Sequence, residues 1–267
     1  MSEGTAAIIG GEANDTWIRR ARANVANAWE YATRAQGGRW DRWEDAHVSD
    51  LGSSCPFLNN ITLIRPLDEM AAANLATRID AFFGRQGGGS SLLWSGWPTP
   101  DLARHGFNFW GQPPLMVRAV GGDAPDQPAG LRIDEVSDAT GLVDFEQILV
   151  NGYPTPWLQP FTPGCAFDAR VLGGPLRFWV GYVDGQPVSC SAAFVDAEVV
   201  GVFMVATLAE ARGKGYGSAI TWAATSADPE LPALLHSSDA GRPVYERLGY
   251  RIVTRFDLWE CPRKAPS

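Results

Sequence analysis

The stretch that most restricts the fold is "ARGKGYGSAI", residues 211–220, set between the apolar run "VGVFMVAT" (Val200–Thr207) and the apolar helical pattern "AITWAA". Glycines at a strand-to-helix junction let the backbone approach a ligand closely and turn several N–H groups toward one point. The helix that follows adds the positive end of its dipole, so the junction predicts an anion site, with phosphate the obvious anion. Two familiar phosphate loops do not fit. A Walker loop needs Gly-x-x-x-x-Gly-Lys-Ser/Thr, whereas Lys214 is followed by Gly215, and "GKGYGS" holds only the first half of the dinucleotide fingerprint Gly-x-Gly-x-x-Gly.

What the stretch does match is Arg-x-x-Gly-x-Gly, as Arg212, Gly215 and Gly217. A later segment, "YERLGY" (Tyr245–Tyr250), has the form Tyr-x-x-x-Gly-aromatic and ends a short helix before a final strand. With these two motifs in order, roughly residues 130–262 resemble the GNAT superfamily, the acyl-CoA-dependent N-acetyltransferases. Two positions depart from that pattern: Ala209 stands where the family often has proline, and Ser238 where it often has asparagine.

The resemblance implies acetyl-CoA as co-substrate, with no metal. It places the pantetheine arm beside Val205, Ala206 and Thr207, and the pyrophosphate in the loop Arg212, Gly213, Lys214, Gly215, Tyr216, Gly217 and Ser218, with Ser238 nearby. Tyr245 is the implied acid for the departing thiolate, since an ordinary phenol is protonated at neutral pH. A backbone N–H, that of Val205, would polarise the thioester carbonyl. Loss of the amine proton calls for a base, and Glu198, just ahead of the central strand, is the first candidate. Asp196, Asp239 and a water chain are alternatives, and His236 reads as a packed core histidine.

Composition narrows the partners. The formal charge of −8 over 267 residues argues against a nucleic-acid footprint, and the basic residues are almost all arginine, with Lys214 and Lys264 the only lysines. Cys55, Cys165, Cys190 and Cys261 are widely spaced, which signals neither a zinc site nor a disulfide framework. The start lacks a basic, apolar leader, and no apolar run reaches membrane-spanning length, so a cytoplasmic protein without membrane contact is expected. It is expected to be a monomer or homodimer that acetylates the primary amine of a small molecule or amino-acid-like metabolite by direct attack. A protein or peptide N-acetyltransferase and a non-catalytic acyl-CoA-binding regulatory module are the alternatives.

"GGDAPDQPAG" (121–130), rich in Gly, Pro and Asp, reads as a linker between an N-terminal part (1–120) and a catalytic domain (131–262), with a tail at 263–267. The fold class expected is α/β, a mixed and mainly antiparallel sheet flanked by helices. The N-terminal part carries an echo of the catalytic one. "LLWSGWPTPDLARHGF" (92–107) lies over "LLHSSDAGRPVYERLGY" (234–250), each preceded by an amphipathic segment and followed by an apolar strand. This predicts a degenerate half-copy, inactive because no Arg-x-x-Gly-x-Gly precedes it and Leu102 takes the place of Tyr245; "RQGGGSS" (85–91) there is a helix C-cap and loop. Of the 11 tryptophans, Trp17, Trp29, Trp40, Trp43, Trp94, Trp97 and Trp110 lie before the linker, as core residues or as an acceptor wall.

Overall fold

The computed structural model describes residues 14–84, 89–153 and 155–263. The expectations for the first 13 residues, for Arg85–Gly88 of the glycine-rich loop, for Pro154 and for 264–267 lie outside these. The chain runs α1 (Asn14–Ala35), β1 (Arg39–Arg42), β2 (Ala46–Asp50), β3 (Asn59–Leu63), α2 (Glu69–Phe83), β4 (Ser91–Ser95), β5 (Asn108–Gly111) and β6 (Pro114–Arg118). It continues β7 (Leu131–Glu135), α3 (Ala139–Gly152), β8 (Leu176–Val183), β9 (Gln186–Asp196), β10 (Val199–Thr207), α4 (Tyr216–Thr225), β11 (Ala233–His236), α5 (Arg242–Arg247), β12 (Arg251–Arg255) and β13 (Asp257–Cys261). Local chemistry sets several starts: Asp68 accepts the Ala71 N–H ahead of α2, and Asp138 the Gly141 N–H ahead of α3.

Two mixed sheets result, ordered β1-β2-β3-β4-β13-β5 and β12-β6-β11-β10-β9-β8-β7. In each, one parallel step bridged by a helix, β3 to β4 through α2 and β10 to β11 through α4, stands among antiparallel neighbours. The half-copy is therefore visible as architecture. The series α2, β4, a short 3-10 turn at Leu102–His105, β5 and β6 repeats α4, β11, α5, β12 and β13. Leu102 is fully buried where the second copy has Tyr245, so the first copy offers no hydroxyl.

The pairing holds what the sequence did not show. β6, from before the 121–130 stretch, lies antiparallel between β11 and β12, while β13, from after it, lies antiparallel between β4 and β5. Each half lends a strand to the other's sheet, so the two sheets do not divide at 121–130. The run 251–260, which reads as one strand, is two strands in different sheets, turned at Phe256. That side chain is fully buried in a cluster with Trp17, Leu115, Val117 and Val253, and its N–H bonds Pro113 O at 3.1 Å.

α1 locks the exchange by packing Trp17 and Ala21 on this cluster. Further along, Asn24 Nδ2 donates to Phe194 O (3.0 Å) and Asp196 O (3.1 Å), while its Oδ1 abuts Gly201, where a Cβ would collide with it. Strands β1 to β3 carry no regular alternation: β1 is largely exposed and β3 is buried on both faces, so neither shows a period of two.

Candidate active site

β10 and β11 are hydrogen-bonded only at Val200↔Ala233 and Gly201↔Leu234 and then part. On the other side of β10 the ladder shifts between Phe203 and Ala206, where Met204 takes φ +52°, a conformation uncommon for a side chain larger than glycine. The bulge turns Met204 and Val205 out of the ladder. Beside it opens a cavity of about 780 Å³ whose lining comes from both halves of the chain: Val205, Ala206, Thr207, Arg212, Gly213, Gly215, Gly217, Ser218, Ser238 and Tyr245 from one, and Val25, Trp29, Cys55, Phe57, Leu58 and Trp94 from the other.

The glycines of the loop have distinct reasons. Gly213 (φ +77°) and Gly215 (φ +84°) occupy the left-handed region. At Gly217 a Cβ would meet only Thr207 Oγ1 at 3.4 Å, so that backbone stays open. Among the described residues the N–H groups of Gly213 through Gly217 have no backbone acceptor. Five such donors at the start of α4 make an anion cradle.

Three loop residues do other work than direct contact through their side chains. The Arg212 guanidinium donates to Thr207 O (3.1 Å) and Gly152 O (2.8 Å), tying the end of β10 to the end of α3. Gly152 makes that approach feasible, since a Cβ there would stand 3.1 Å from the Thr207 carbonyl. The Tyr216 side chain is buried beneath the loop against Leu131, Ala211 and Ala219, leaving only its N–H for a ligand. Lys214 is exposed and outside the cavity lining, at its rim. Ser238 Oγ accepts the Gly241 N–H at 3.1 Å and thereby shapes the approach to α5.

Tyr245, on α5, faces the cavity with its ring 6.1 Å from that of Tyr250. Burial, and then the neighbouring Tyr153, push its hydroxyl well above the usual tyrosine range, so it is a proton donor at any neutral pH. Tyr153 is shifted the same way by burial and by Cys55.

Glu198 is not at the site. It sits with Ala197 in the β9–β10 turn, both at positive φ, and pairs with Arg20 at 2.9 Å with its side chain 76% exposed. Asp196 accepts a hydrogen bond from Asn27 at the same end of the sheet, and Asp239 is exposed and outside the lining. His236, by contrast, lines the cavity at the tip of β11, its ring 5.0 Å from Trp94 and 4.5 Å from Phe256. Its Nε2 is buried without a hydrogen-bond partner, so the packed-histidine expectation is half right: the ring is packed, the nitrogen unsatisfied. Burial lowers its pKa to about 3, keeping the imidazole neutral. Arg247, exposed on α5 and lining the cavity, also escaped the sequence reading, because nothing separates it there from Arg242. Of the seven N-terminal tryptophans only Trp29 and Trp94 reach the lining; Trp17 is core.

Among the described residues no helix is long and apolar enough to cross a membrane, and no cluster of His, Cys, Asp or Glu could hold a metal ion. Residues 174–252 match the family model of the acetyltransferase (GNAT) domain. Among solved structures the chain is similar to a GCN5-related N-acetyltransferase from Kribbella flavida (23% identity, TM-score 0.65, covering 90% of this chain and 95% of that one). It is similar also to a GNAT-family protein from Novosphingobium aromaticivorans (18%, TM-score 0.53, 88% and 97%). A tandem GNAT protein from the clavulanic acid biosynthesis pathway aligns over 95% of this chain and 96% of its own, at 14% identity and TM-score 0.54. No curated protein matches. These likenesses carry the fold: residues 174–252 are similar to the acetyltransferase (GNAT) domain, and both halves of the chain share the architecture of GNAT proteins, one of them a tandem GNAT protein.

Proposed function

We propose that the protein transfers the acetyl group of acetyl-CoA to the primary amine of a small molecule by direct attack. The observation that carries this reading is the shared cavity, in which the N–H cradle of Gly213–Gly217, the bulge at Met204–Val205 and the Tyr245 hydroxyl open onto one space. The pyrophosphate would rest on the cradle and on the start of α4, with Lys214 and Arg247 at hand for the remaining phosphate charge. The pantetheine would run beside Val205, Ala206 and Thr207 where β11 has left β10.

The amine nitrogen attacks the thioester carbonyl, whose developing oxyanion takes the Val205 N–H. The C–N bond forms and the C–S bond breaks. The thiolate leaves with the proton of Tyr245, and the proton shed by the nitrogen passes through water, which takes the role first given to Glu198, and restores the Tyr245 phenol. Walls supplied by the N-terminal half favour a compact acceptor over an extended peptide.

Isothermal titration with acetyl-CoA tests the proposal. Micromolar binding by the parent and none by a folded Gly215→Glu, Gly217→Glu variant is the expected result; no binding by the parent overturns it.

A further inference from the structure

The wall contributed by the N-terminal half is unusual in what it omits. Among the described residues, no aspartate or glutamate lines the cavity, and the two charged groups that do, Arg212 and Arg247, are cationic and belong to the co-substrate side. Away from the cradle the wall is mainly aromatic and aliphatic, with Trp29, Phe57, Leu58, Trp94, Tyr153 and Leu158, and its polar members, Cys55 and Thr155, carry no charge at neutral pH. An ammonium entering such a space would leave its hydration shell with no carboxylate to meet it, and cation–π contacts recover only part of that loss. An amine that is neutral before it enters avoids the loss altogether.

Two further observations fit a flat apolar ligand. Phe57 is joined edge-on to Trp110 (5.6 Å), Trp157 (6.3 Å) and Tyr153 (5.5 Å), and Trp110 and Trp157 stack on each other at 5.9 Å and 21°. Both tryptophans are more than a third exposed, so an aromatic path runs from the surface through Phe57 into the cavity. Inside, the His236 imidazole makes no hydrogen bond: its Nε2 is sealed in the packing, which leaves Nδ1 as the ring nitrogen that a ligand group of opposite character can reach.

Building on the N-acetyltransferase reading, we propose that the acceptor is a flat aromatic amine taken up uncharged, bound against Phe57 and Trp94 with one polar hydrogen donated to His236. His236 then acts as a specificity-determining and positioning group: it holds the acceptor, while the transferred proton leaves through water as above.

Thiol release from acetyl-CoA, read at neutral pH with 4-methylaniline, benzylamine and 1,4-diaminobutane, tests this. These probes separate ring shape from charge, because benzylamine is protonated at neutral pH and 4-methylaniline is not. The expected kcat/KM for 4-methylaniline exceeds that for benzylamine by about tenfold or more, 1,4-diaminobutane is not acylated, and the benzylamine value climbs by roughly tenfold per pH unit below its own pKa as its neutral fraction grows. His236→Leu lowers kcat/KM for 4-methylaniline about tenfold with the acetyl-CoA Kd unchanged, and His236→Gln, which keeps an acceptor, recovers part of it. Calorimetry of 4-methylaniline on the CoA-bound protein gives a readout free of turnover. Equal use of 1,4-diaminobutane, an unchanged kcat/KM in His236→Leu, no heat from 4-methylaniline on the CoA-bound protein, or tighter binding of octanoyl-CoA than acetyl-CoA with no amine selectivity overturns the proposal. Failure of acetyl-CoA itself to bind instead overturns the acetyltransferase reading on which it rests.

Discussion

At the scale of single residues, Tyr245 and His236 show opposite relations between burial and use. Burial raises one group's pKa and lowers the other's, so both are neutral at pH 7, one able only to donate a proton and the other with a lone pair to offer. Tyr245→Phe removes the donor while keeping the ring, and we expect kcat to fall on the order of 10²-fold with the acetyl-CoA affinity unchanged, measured by thiol release and calorimetry. For His236 the consequence extends to stability. The unfolded chain binds a proton below the ordinary histidine pKa near 6.5, whereas the native state declines it down to about 3, so stability falls by about 1.4 kcal/mol per pH unit as the pH drops through that window. His47, its pKa lowered mainly by burial, adds in the same direction. Denaturant titrations from pH 7 to pH 4 should show a shallower decline in His236→Leu than in the parent. The motif residues were legible because backbone geometry dictates them: Gly213 and Gly215 need positive φ, and glycine is the natural choice. His236 was not, because whether a nitrogen finds a partner depends on Trp94 and Phe256, which arrive from distant parts of the chain. Glu198 misled for a related reason, since Ala197 and Glu198 adopt a two-residue turn that usually advertises itself with Asn or Gly.

At the scale of elements, the site depends on contacts that never touch a ligand. Arg212 clamps the ends of β10 and α3 by two carbonyls, so Arg212→Met should weaken acetyl-CoA binding by about tenfold, through loss of the clamp, while the fold persists. Glu146 on α3 is buried and receives three N–H groups, from Gly164, Ala166 and Phe167, at 2.7 to 2.8 Å. Glu146→Gln gives up the charge and one acceptor, and should cost about 1–3 kcal/mol in chemical denaturation. The loop it holds follows Leu158, a cavity residue, so the same variant should also raise KM for the acceptor. β10, α4 and α5 were readable from apolar pattern and glycine punctuation. β1 to β3 were not, because an exposed edge and a doubly buried strand both lack alternation, and the division of 251–260 into two strands rests on the burial of one residue, Phe256.

At the scale of the whole molecule, the exchange of β6 and β13 makes the two sheets interdependent. Cutting the chain within 121–130 leaves each fragment with a gap in its sheet, so neither fragment should give dispersed amide resonances alone, while mixing the two restores them together with acetyl-CoA binding. By the same argument thermal unfolding of the intact chain should be a single transition, with tryptophan fluorescence and circular dichroism coinciding. Strand choice of this kind was hidden from the sequence: β6 and β13 fill the same slot in two similar sheets, and local pattern does not say whose slot each takes.

That slot also sets a timetable for synthesis. Chains fold from the amino end as they emerge from the ribosome, yet the first sheet waits for a strand made near the end of the second half, so β4 and β5 stand beside an unfilled row of backbone donors and acceptors while everything between is still being translated. A nascent chain of this protein completes its second sheet only once β12 is free and its first only once β13 follows, so the two sheets close almost together, and with them the cavity that both halves line.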